Sequence, residues 1–108
     1  MSGSSGGFSF SSSSTPKECG TLQLKIHLAS PVADVLDILS PGDILSLSLR
    51  NPTGPVIAST LGGEFAGAIL TTDPGFLISC ITQGYIYHAR VLSLAGGDCQ
   101  VSIYCTNP

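Results

Sequence analysis

Leu22, Leu24, Ile26 and Leu28 alternate with Gln23, Lys25 and His27, the two-residue period of a strand with one buried face and one wet face. Ser30-Pro31 then offers a cap followed by a first-turn proline, and Val32, Val35, Leu36 and Leu39 recur along one helical face with Asp34 and Asp37 turned away. A short helix is predicted there, stopped by Pro41-Gly42-Asp43. In residues 44–50 Leu45, Leu47 and Leu49 alternate with Ser46 and Ser48, the clearest strand pattern in the chain. Asn51-Pro52-Thr53-Gly54-Pro55 makes a tight turn into a β-branched run at 56–60, so these two runs form a hairpin.

Gly62-Gly63 predicts the next turn, before a strand at 64–70 whose small residues Ala66, Gly67 and Ala68 permit a backbone or a helix to approach closely. That strand is the expected seat of a second helix. The helix opens at Thr72-Asp73-Pro74, again cap then proline, places Leu77, Cys80 and Ile81 on one face, and ends at Gly84. Residues 85–94 and 99–105 close the chain as a hairpin across Ala95-Gly96-Gly97-Asp98, with Cys99, Val101, Ile103 and Cys105 on one face. Six short strands and two short helices in so small a chain are best satisfied by a partly closed, highly curved sheet, because closure removes edge strands and a helix can plug an open end. The expected fold is mostly β with minor α, a small partly closed six-stranded β-barrel. It occupies residues 19–108 as a single domain, preceded by a flexible Ser/Gly-rich tail at 1–18 in which Phe8 and Phe10 are the only large apolar side chains besides Met1.

Composition changes this picture mainly by exclusion. Only 10% of the 108 residues are charged, 4 Lys plus Arg against 7 Asp plus Glu, for a net charge of −3. Affinity that came chiefly from neutralising phosphates would need clustered cations, and Lys17, Lys25, Arg50 and Arg90 are scattered. Nucleic acid is thus disfavoured by net charge. The start of the chain has neither a basic segment nor an apolar stretch, and no run approaches the roughly 18 residues of a bilayer span, which predicts a cytoplasmic protein with no membrane partner and reduced thiols.

Chemistry-bearing residues are few. The cysteines Cys19, Cys80, Cys99 and Cys105 lack the close paired spacing of a zinc site, and no metal or cofactor is expected. Cys80, on the inward face of its helix, reads as an inert core thiol. Cys19 precedes the first strand and Cys105 ends the last, so pairing of those strands would allow a Cys19–Cys105 disulfide, although four cysteines admit three pairings. His27 and His88 are the two histidines, and an acid–base role for either would need a carboxylate such as Glu64 or Asp98 in one pocket with it. The glycines of Gly62-Gly63-Glu64-Phe65-Ala66-Gly67 are followed by no lysine and fit a hairpin turn rather than a phosphate loop.

The order of landmarks resembles the HIRAN family. The resemblance rests on Gly42-Asp43-Ile44-Leu45-Ser46-Leu47, the Asn51-Pro52 turn, Ala66-Gly67-Ala68-Ile69, the helix end Cys80-Ile81-Thr82-Gln83-Gly84, and Ala89-Arg90-Val91. It implies a small β-barrel of the kind attached to DNA-remodelling and repair enzymes, and a capacity to bind single-stranded DNA ends. Stacking on Tyr85, Tyr87 or Tyr104 beside Arg50 and Arg90 would have to carry such binding in an acidic chain.

Three function classes stay open at this point. The first is a non-catalytic binding module that docks a protein partner or another copy of itself, favoured by sparse charge and a mean hydropathy of +0.40. The second is the single-strand binder that the resemblance implies, and the third a small enzyme of unidentified class. The expected contact face is Arg50, Tyr85, Tyr87, His88 and Arg90.

Overall fold

The computed structural model describes residues 16–108. The chain runs α1 (Pro16–Thr21), β1 (Gln23–His27), α2 (Ala33–Leu36), β2 (Ile44–Leu49), β3 (Val56–Thr60), β4 (Phe65–Ile69), α3 (Pro74–Thr82), β5 (Tyr87–Ala95) and β6 (Asp98–Cys105). The strands form one sheet in the order β1-β6-β5-β2-β3-β4, every pair antiparallel. It curls into a half-barrel. Leu45, Leu47, Tyr87, Val91, Val101 and Ile103 point into its hollow, where α3 adds Leu77 and Cys80 and α2 adds Val35 and Leu36. The mostly β, six-stranded, partly closed architecture is as expected from the sequence, with one helix more.

The two ends of the sheet meet at one place. Just past β1, Ala29 bridges Ala68 of β4: each donates its amide to the other's carbonyl at 2.8 Å. The bridge demands a bare backbone at Gly67, where an added Cβ would lie 3.1 Å from both the Ala29 carbonyl oxygen and Leu28 Cβ. The small-residue stretch of β4 therefore admits another backbone, as foreseen. The occupant differs from the expected one: α2 sits against β4, while α3 packs chiefly on α1, β2 and β3.

β-Bulges sharpen the curl, because an extra residue on one strand bends it. The register slips between Val91 and Ser93 of β5 and between Ala58 and Ser59 of β3 against β4.

The helices depart most from expectation. Asp73 caps α3 as predicted, its carboxylate accepting from the Phe76 amide at 3.1 Å, with Pro74 in the first turn. α2, by contrast, is only four residues long. Ser30 does not cap it, because that residue holds a left-handed φ of 47° while the Val32 amide is tied to the Ala66 carbonyl of β4, so the helix begins after Val32. α1 was not expected at all. It starts within the stretch assigned to the Ser/Gly-rich tail, and the remainder of that stretch, with Phe8 and Phe10, lies outside the described residues.

α1 also overturns the expected disulfide. β1 does pair with β6, which was the premise of a Cys19–Cys105 bond, but Cys19 lies on α1, and that helix packs on α3 as well as on β6. Cys19 is bonded instead to Cys80 of α3, with Cα atoms 5.6 Å apart and both residues fully buried. Cys80 is in the core as expected, yet not as a free thiol. Cys99 and Cys105 are free, and the Cys105 thiol lies 3.5 Å from Asn107 Oδ1. Among the described residues no helix is long and apolar enough to cross a membrane.

Candidate functional site

The outer face of the sheet, turned away from the core, is built by strand alternation. Leu45, Ala89, Ile103 and Leu24 face inward, so their neighbours face out in rows across four strands. One row is Ser46, His88, Tyr104 and Gln23; the next is Ile44, Arg90, Ser102 and Lys25. Arg90 and Lys25 flank Ser102 from its two neighbouring strands, which sets their Cα atoms about 10 Å apart. In the row beside them the His88 and Tyr104 rings meet edge to face, centroids 6.2 Å apart. The bulge in β5 leaves Leu92 on this outer side, and Gln23, Arg90, Leu92, Ser102 and Tyr104 line an open hollow of about 320 Å³.

Of the five residues expected to converge, the structure brings together two. His88 and Arg90 are on this face. Arg50 shares the outer side of the sheet but lies six residues along β2 from Ile44, the neighbour of Arg90, hence about 20 Å away, where its guanidinium covers the Phe65 ring at 5.2 Å. Tyr85 is half-buried at the end of α3, lining a separate hollow with Gln83, Asn107 and Pro108. Tyr87 is corrected outright. It is fully buried, its hydroxyl donates to the Cys19 carbonyl at 2.6 Å, and burial, helped by Cys105 and Tyr85, pushes its phenol up to about 12. The sequence explains this position, since Tyr87, Ala89 and Val91 alternate with His88 and Arg90, so Tyr87 cannot share their face.

Lys25, Gln23 and Ser102 were missed because they become neighbours of Arg90 only through the β1–β6 and β6–β5 pairings. The alternation of β1 had already assigned Lys25 to a wet face. Three of the four cations, Lys25, Arg50 and Arg90, lie on the outer side of the sheet, whereas Lys17 and Glu18 lie on α1 and Asp34, Asp37, Asp43, Glu64 and Asp73 on helices, turns or caps. Asp98, the first residue of β6, stands at the far end of the face, 2.7 Å from His27 Nδ1. That imidazole–carboxylate contact is the pairing an acid–base site would use, but its side chains are 60% and 52% exposed, so it is a solvated surface contact.

No family model, curated protein or solved structure matches this chain.

Among the described residues, β1 borders this face as a free edge. Leu28 donates to the Cys99 carbonyl at 2.9 Å, which fixes the ladder alternation: Leu24, Ile26 and Leu28 bond to β6, and Gln23, Lys25 and His27 turn their N–H and C=O groups the other way. Ala29, next in that outward series, is the residue that reaches Ala68. Before it, no described strand lies beside β1 on this side. Under the edge, Leu22, Leu24, Phe76 and Leu77 with Thr71, Thr72 and Asp73 line a groove of about 170 Å³. The Thr71 hydroxyl is buried without a hydrogen-bond partner among the described residues.

Proposed function

We propose that this chain is a non-catalytic binding module that docks a protein partner at the outer face of β5, β6 and β1. The observation that carries the reading is the sorting of charge. A face that carries Lys25 and Arg90 beside the half-buried rings of His88 and Tyr104, with Asp98 at its far end engaged by His27, is complementary to an acidic partner surface. Self-association through this face would set Lys25 and Arg90 against their own copies, so a different protein is the better fit.

A second reading, single-stranded nucleic acid, is favoured by one arrangement: the half-buried rings of Tyr104 and His88, packed edge to face, lie in the row next to Arg90 and Lys25. It agrees with the HIRAN resemblance. The two readings separate by salt. Two cations neutralising two phosphates of a single strand give a log–log slope of about −1.4.

Size exclusion with light scattering, alone and with a labelled single-stranded oligonucleotide at low and moderate salt, is the test. A monomer that ignores the oligonucleotide is expected, and proteins retained by the wild-type chain should be lost from the variant carrying Lys25→Glu and Arg90→Glu. An oligonucleotide complex that dissociates with that slope replaces the protein reading by the nucleic-acid one.

A further inference from the structure

We infer that the free edge of β1 takes an extended peptide as a seventh strand, one whose side chains alternate between apolar and acidic. This rests on the protein-docking reading above and names the partner's chemistry.

The edge presents the outward amides and carbonyls of Gln23, Lys25 and His27, spaced to match another backbone in β conformation. A row of alternating donors and acceptors recognises a main chain, and a nucleic acid would leave it unpaired. The side chains of a strand added here fall alternately to the two sides of the sheet. Those turned inward meet the groove of Leu22, Leu24, Phe76 and Leu77, whose volume of about 170 Å³ suits one large apolar side chain; Thr71, Thr72 and Asp73 also line it, the Asp73 carboxylate accepting from the Phe76 amide. Those turned outward meet Lys25, with Arg90 two strands farther in, and the nearest carboxylate on this face, Asp98, is engaged by His27. One face therefore selects apolar residues and the other acidic ones. Ala29 shows the same edge already making this kind of contact, since its two outward groups bond to Ala68 at 2.8 Å.

A second copy is a poor occupant. Antiparallel pairing of β1 with itself about its central residue puts Lys25 opposite Lys25, which repels, and lysine on an edge is a common guard against such pairing. The same lysine attracts an acidic strand.

The test titrates the isotopically labelled full chain, by NMR, with three capped octapeptides: alternating valine and glutamate, alternating valine and lysine, and a block of valines followed by a block of glutamates. The alternating acidic peptide should shift the Gln23, Lys25 and His27 amides and the Leu24 and Leu77 methyls. Its affinity should fall at least about tenfold with Lys25→Glu, as for loss of a close charge pair. Lys25→Pro, which removes an outward amide without breaking a bond to β6, should abolish the edge shifts; if that variant does not fold, Lys25→Glu alone decides. Equal responses to all three peptides, or no response at about 1 mM, the weak end of specific recognition, overturn the inference. Shifts at Arg90 and Tyr104 with the β1 amides unmoved also overturn it, yet leave the docking reading intact, which falls only on its own salt and capture test.

Discussion

Gly67 and Tyr87 show how much of this fold hangs on single atoms. At Gly67 a methyl group would press on the Ala29 carbonyl and Leu28 Cβ at 3.1 Å, and neither can withdraw without breaking the bridge to Ala68. Gly67→Ala is expected to destabilise by about 1–3 kcal/mol, the usual cost of overpacking, measured by urea denaturation. Tyr87→Phe removes the hydroxyl that serves the buried Cys19 carbonyl, an expected loss of about 1–3 kcal/mol in the same assay. pH supplies an independent check on Tyr87. Its phenol holds its proton to about 12 when folded against an ordinary 10.0, so from pH 10 upward the unfolded chain releases a proton the native one keeps. Stability is therefore whole below 10 and falls by up to about 1.4 kcal/mol per pH unit through that window. Burial also raises the Cys99 thiol, with Asp98 adding, which contributes a loss of the same sign. The window should narrow in Tyr87→Phe.

At the scale of elements, the Cys19–Cys80 bond joins α1 to α3 across a sequence separation of 61. Restricting the unfolded chain over a loop of that length corresponds to about 4 kcal/mol of stabilisation in the chain-entropy account. Adding reductant, or replacing both cysteines with alanine, should lower the urea midpoint accordingly. This bond, and the helix that supplies it, were the least legible parts of the sequence. PKECGT has no apolar period, so α1 owes its helical form to what it packs against rather than to its own pattern. β2 and β3 were plain because leucine–serine alternation and a β-branched run report burial directly, and α3 because Asp73 and Pro74 mark its start. The apolar pattern overstates α2 because the tie from Val32 to Ala66 is a tertiary constraint that local pattern does not encode. The candidate site was half legible for the same reason. His88 and Arg90 follow from one strand's alternation, but the company of Lys25 and Tyr104 depends on the pairing of three strands.

Across the whole molecule, the small number of cations matters less than where the fold sends them. The sheet separates Arg50 from Arg90 by about 20 Å, farther than the Debye length at physiological salt, so they act as independent charges. Arg90→Glu should weaken partner binding, while Arg50→Glu, which loses its contact with Phe65, should leave it within about twofold in a titration of the two variants side by side. The order of the sheet has a consequence for the speed of folding. β1 lies beside β6, with Gln23 opposite Tyr104, so its ladder joins segments from opposite ends of the described chain. The loop-closure entropy of that pairing must be met before the ladder rewards it, so completion of the sheet is limited by distant contacts rather than by the local hairpins β2–β3 and β5–β6.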